Sequence, residues 1–90
     1  MNIAIKIAPV LLQYSDNQPE VLVKGSTVSE CLDHLVSQFP ALKEALFDKH
    51  GELRNYLEIY INQESAYPGE LDKPVHDGDE LHIATVLVGG

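Results

Sequence analysis

The chain has 90 residues, 44% hydrophobic and 22% charged, the proportions of one small globular domain with a single core. Six Lys and Arg against fourteen Asp and Glu leave a net charge of −8. That balance disfavours nucleic acid, which is bound through clustered cations, and favours basic protein partners.

Cys31 is the only cysteine, which excludes an intrachain disulfide and an iron–sulfur cluster and points to a reducing compartment. Met1-Asn2 lacks the basic start of a signal peptide, and Lys6 interrupts the first apolar stretch. No apolar run approaches the roughly 20 residues of a membrane span. The expected location is the cytoplasm, with no membrane partner.

From Asn2 to Ala8 the chain alternates, Ile3, Ile5 and Ile7 on one face, which predicts a strand broken at Pro9. Tyr14 to Pro19 is turn chemistry. Val21 and Val23 then alternate with Glu20, Leu22 and Lys24 in a second strand closed by Gly25, so the opening reads as a β-hairpin. Thr27-Val28-Ser29-Glu30 fits a capping box, with Thr27 accepting from the Glu30 amide and Glu30 reaching back. Val28, Cys31, Leu32, Leu35, Val36 and Phe39 fall on one helical face. Ala41 to Phe47 is a shorter helical stretch that stops at Asp48-Lys49-His50-Gly51. Leu57, Ile59 and Ile61 mark a third strand ending at Asn62. Residues 63–79 show little regular pattern: Pro68-Gly69 and Asp77-Gly78-Asp79 are turns, and Leu71 and Val75 are expected to plug the core. Leu81, Ile83 and Thr85 form a last strand, directly followed by Val86-Leu87-Val88-Gly89-Gly90. A hairpin, a helix and two later strands with one apolar face make a two-layer α+β domain with a mixed sheet.

No catalytic constellation accompanies this pattern. His34, His50, His76 and His82 lack the spacing of metal ligands, and Cys31 sits among core positions of the helix. No Ser/His/Asp arrangement, phosphate loop or acid–base pair is present, which fits a protein substrate or carrier better than an enzyme.

The succession of elements along the chain matches that of the β-grasp, ubiquitin-like fold, with the helix expected across one face of the sheet. Three stretches sharpen the likeness: Tyr60-Ile61-Asn62-Gln63-Glu64, Val75-His76-Asp77-Gly78-Asp79-Glu80-Leu81, and the terminal Gly89-Gly90. Together they resemble the ubiquitin-like sulfur carriers related to the molybdopterin synthase small subunit and the thiamine sulfur carrier. Leu53-Arg54-Asn55-Tyr56 and the chain length resemble the subgroup of the cysteine-biosynthesis sulfur carrier. One departure is plain: many members carry prolines and an alanine before the two glycines, whereas this chain has Thr85-Val86-Leu87-Val88, leaving the partner enzyme open.

The resemblance implies a β-grasp domain over 1–85 and an extended, flexible C-terminal tail over 86–90. It implies that Gly90 is the modified residue: an E1-like adenylating enzyme activates its carboxylate with ATP, and sulfur then displaces AMP to leave a thiocarboxylate. Val86, Leu87, Val88 and Gly89 would form the partner-binding tail, two glycines letting the backbone pass where side chains would collide. The carrier itself would hold no cofactor and no metal. The implied sulfur acceptors are a pyridoxal-phosphate-dependent cysteine synthase, with a metalloprotease releasing the product, or the molybdopterin synthase large subunit, in addition to thiamine or similar pathways. A protein modifier that forms isopeptide bonds through Gly90, and a plain β-grasp interaction domain, remain open beside the carrier.

Overall fold

A computed structural model describes residues 2–86. Five strands form one sheet: β1 (Asn2–Ile7), β2 (Glu20–Lys24), β3 (Leu57–Ile61), β4 (Glu64–Ser65) and β5 (Glu80–Thr85), in the spatial order β2-β1-β5-β3-β4. β1 and β5 run parallel in the middle, and every other neighbouring pair is antiparallel. Helix α1 (Val28–Gln38) lies across one face, and a short α2 (Leu42–Leu46) follows it. This is the β-grasp, ubiquitin-like architecture.

Alternation sets the layers. Ile3, Ile5, Val21, Val23, Leu57, Ile59, Leu81 and Ile83 turn inward and are buried against Val28, Cys31, Leu32 and Leu35 of α1. Val75 is buried as expected; Leu71 is only half-buried, packed on the margin of the core. The intervening strand residues, among them Ala4, Lys6, Leu22, Lys24, Glu58, Tyr60, Glu80 and His82, form the outer face.

Several elements differ from the sequence-based expectation. The segment after Pro9 is a 3-10 helix (Pro9–Tyr14), with Pro supplying the helical φ at its first turn. Ala8 and Leu11 are buried, so the hairpin connection adds to the core. Ser15 is fully buried, its hydroxyl 3.0 Å from the Gln18 carbonyl. The stretch expected to lack pattern holds β4, a 3-10 turn (Glu70–Asp72) and the buried Ala66. Too short for periodicity, these elements depend on contacts with the sheet.

The helix cap also differs in detail. Thr27 Oγ1 accepts from the Glu30 amide at 3.2 Å, but the Glu30 carboxylate reaches one residue further back than a capping box, to the Ser26 amide and hydroxyl, both at 2.8 Å. Those two bonds hold the Glu30 carboxyl below its ordinary pKa. Gly25 is required by proximity: a Cβ there would lie 2.8 Å from the Cys31 amide nitrogen and 2.9 Å from its sulfur. Strand β2 and helix α1 close on each other only because that position has no side chain.

Candidate functional site

The candidate site begins where the sheet ends. β5 lies between β1 and β3, so the chain leaves the domain from the middle of the sheet. The ladder pairs Leu57 with Thr85, and the Val86 amide still donates to the Tyr56 carbonyl at 2.8 Å. Val86 is exposed. Leu87, Val88, Gly89 and Gly90, the rest of the expected partner-binding tail and its modified residue, lie outside the described residues.

The surroundings of this exit are firmly built. The Leu53–Tyr56 stretch is fastened to α2: the Arg54 amide donates to the Leu46 carbonyl, Arg54 Nε to the Glu44 carbonyl at 2.7 Å, and the Tyr56 hydroxyl to the Ala45 carbonyl at 3.1 Å. An open groove runs beside it, lined by Val10, Tyr14, Lys43, Arg54 and Tyr56. The signature residues Arg54 and Tyr56 thus form the shoulder from which the tail departs.

The other two signature stretches meet at the opposite end of β5. Asn62 and Gln63 adopt positive φ, 50° and 72°, in the two-residue turn joining β3 to β4, a conformation Asn tolerates. The Asn62 side chain donates to Asp79 Oδ1 at 2.9 Å and accepts from the Glu80 amide at 3.0 Å. Asp79 in turn accepts from the His76 amide at 2.7 Å. Gly78, at φ 88°, sends its amide to the Asn2 carbonyl, and Asp77 accepts from the Asn2 amide at 2.6 Å. Asn62 above all, with the His76 amide, holds the Asp79 carboxyl below the usual carboxylate range. These motif residues are structural: they tie the β3–β4 turn, the β5 entry and the start of β1 into one hydrogen-bonded corner.

The remaining chemistry-bearing side chains stand apart. Cys31 is buried and its thiol is pushed up by desolvation and then by the Glu30 charge, the opposite of an activated nucleophile. His34 Nδ1 accepts from the Lys24 amide at 2.7 Å, and His82 packs against Tyr60 on the outer face with ring centroids 6.5 Å apart. Among the described residues no three His, Cys, Asp or Glu side chains converge as a metal site. Among them, too, no helix is long and apolar enough to cross a membrane.

Comparison with known proteins decides the family. The ThiS family pattern matches residues 11–90, nearly the whole chain and the di-glycine with it. The chain belongs to the ThiS family. Small archaeal modifier protein 1 of Haloferax volcanii is 37% identical over 65 residues, 72% of this chain and 71% of that protein. The crystal structure of that modifier superposes with a TM-score of 0.86 at 29% identity over the full length of both chains. A chain of the Amycolatopsis orientalis BexX/CysO complex gives 0.86 at 29% identity, covering 98% of this chain and 99% of its own. Mycobacterium tuberculosis CysO gives 0.86 at 25% identity, covering 94% and 99%. As a ThiS-family member the chain is a small ubiquitin-like carrier or modifier protein and not an enzyme.

Proposed function

We propose that the chain is a sulfur carrier whose reacting group is the Gly90 carboxylate. The observation that carries this reading is that the ThiS family match runs through Gly89 and Gly90. A carboxylate is a poor electrophile and needs activation. An E1-like adenylating enzyme joins it to the α-phosphate of ATP, releasing pyrophosphate. Sulfide then displaces AMP and leaves –COSH on Gly90, whereas a persulfide donor leaves an acyl disulfide that a second thiol reduces to –COSH, departing with the donor's sulfur as a disulfide. The domain's part is recognition and delivery. It presents the tail from the sheet centre, anchored at Val86 beside Tyr56, while the two glycines offer a backbone slim enough for a narrow channel. Val86, Leu87, Val88 and Gly89 supply main-chain hydrogen bonds and apolar contacts to the enzyme that holds them.

The likeness to two CysO structures supports cysteine biosynthesis as the destination, with a pyridoxal-phosphate-dependent synthase as acceptor and a metalloprotease downstream. The 37% identity to an archaeal modifier protein supports a second reading, in which the same activated Gly90 forms isopeptide bonds with lysines. Both begin with adenylation, and one experiment separates them. The purified chain is incubated with ATP, sulfide and the adenylating enzyme of its host, and the intact mass and C-terminal peptide are measured. A sulfur-for-oxygen exchange at Gly90 is the expected outcome. Lysine conjugates without that exchange would establish the modifier, and an unchanged Gly90 would leave neither standing.

A further inference from the structure

Among the described residues β2 is an edge strand: its inner side is hydrogen-bonded to β1 and no strand lies beyond it. In an antiparallel ladder alternate residues send both backbone groups to the partner, and those between them point away. The Lys24 amide and the Leu22 carbonyl mark which set points outward, because side chains of α1 reach them there. His34 Nδ1 accepts from the Lys24 amide at 2.7 Å, and Gln38 Nε2 donates to the Leu22 carbonyl at 3.3 Å. Glu20, Leu22 and Lys24 are therefore the residues whose N–H and C=O groups face the open edge. Their side chains stand together on the outer face, and Leu22 is 68% exposed, an unusual amount for a strand leucine.

This triplet is complementary to itself. When a second β2 is laid antiparallel with Leu22 on the twofold axis, Leu22 meets Leu22, and Glu20 of each copy meets Lys24 of the other. The parity also agrees: all three pairs bring outward-facing backbone groups together, so Glu20, Leu22 and Lys24 of both copies form a continuous run of main-chain hydrogen bonds. The side-chain pairs are then one apolar contact flanked by two ion pairs on one face, the combination that stabilises cross-strand neighbours. Among the described residues the ion pairs are Lys6–Glu80 and His76–Asp79, so neither Glu20 nor Lys24 is already engaged.

We propose that β2 is the pairing edge for a second copy of this chain, giving an isologous dimer with one continuous sheet, and that His34 and Gln38 restrain it. Both side chains occupy backbone groups that the second strand needs, so they must swing away before pairing. The dimer is consequently weak and concentration-dependent, with the covered edge as its resting state, a common defence of exposed strands. β5 lies two strands away from this edge, so the pairing does not involve the strand that ends at Thr85. The proposal does not depend on what chemistry Gly90 undergoes.

Sedimentation equilibrium of the full chain, from micromolar to millimolar concentration, tests it. His34→Ala/Gln38→Ala removes the two covers of each copy and is expected to tighten dimerisation about a hundredfold or more, since four covering hydrogen bonds no longer have to break before the strands pair. Glu20→Lys, which sets like charges opposite each other, is expected to weaken it roughly tenfold. Lys24→Glu does the same, yet an equal mixture of the Glu20→Lys and Lys24→Glu chains restores every pair and is expected to form the heterodimer. Glu20, Lys24 and Gln38 are exposed and His34 is half-buried, and thermal melts confirm that each variant is folded. A His34→Ala/Gln38→Ala chain that remains monomeric at millimolar concentration overturns the proposal. A dimer indifferent to Glu20→Lys, or charge variants that fail to pair with one another, overturns it too by placing the contact elsewhere.

Discussion

Asn62 acts at the scale of one side chain. It occupies a positive φ and joins two segments by hydrogen bonds to Asp79 and the Glu80 amide. Replacing it with Ala keeps the strained backbone and deletes both bonds, so a loss of about 1–3 kcal/mol is expected in denaturant unfolding. Its partner sets a pH dependence. The Asp79 carboxyl is held below its ordinary pKa in the folded chain, so the folded state binds its proton less readily than the unfolded state does. That stabilisation is fully present above the usual carboxylate value of about 4 and fades as pH falls below it. The stability difference between the native chain and Asp79→Asn is accordingly expected to shrink below about pH 4, measured as urea midpoints across a pH series. Gly25 shows the opposite kind of constraint, absence of a side chain. Gly25→Ala would drive a Cβ to 2.8 Å from the Cys31 amide, and an overpacking cost of about 1–3 kcal/mol is expected, with β2 and α1 pushed apart.

At the scale of elements, the hairpin connection is a working part of the core. The 3-10 helix Pro9–Tyr14 buries Leu11 in the core and packs against α2. Leu11→Ala is expected to lower stability by about 2–5 kcal/mol, as a buried leucine does elsewhere, whereas an alanine at the exposed Val10 changes it little. Neither result was legible from periodicity. Pro9 ended the strand pattern, and a six-residue 3-10 helix is too short to establish an apolar period. The long elements were legible: β1, β2, α1, β3 and β5 each carry enough alternation or 3.6-residue spacing to define a buried face. Asn62 was also legible as the end of β3, and Asp77-Gly78-Asp79 as a turn. Their joining into one corner was not, because the two stretches are far apart in sequence and meet only through β5 lying beside β3.

The whole molecule combines a net charge of −8 with a tail leaving the centre of its sheet. Such a field speeds encounter with a basic partner and is screened by salt. The association rate with the adenylating enzyme is therefore expected to fall as ionic strength rises, while dissociation changes less, a pattern stopped-flow measurement would reveal. Deleting Gly90 is expected to leave the unfolding midpoint within about 0.5 kcal/mol of the native value while abolishing thiocarboxylate formation. A truncated chain charged at the normal rate would remove Gly90 from the chemistry altogether.

The sequence by itself determined the fold class and the inward residues of each long strand and of α1. Those features are local: each follows from spacing along the chain or from one residue's conformational freedom. Tertiary structure alone decided the strand order, the burial of Ala8, Leu11 and Ala66, and the hydrogen bonds from His34 and Gln38 to the β2 edge. These depend on which segments become neighbours. That choice rests on the summed burial of the sheet against α1, to which any single stretch of sequence contributes only a part.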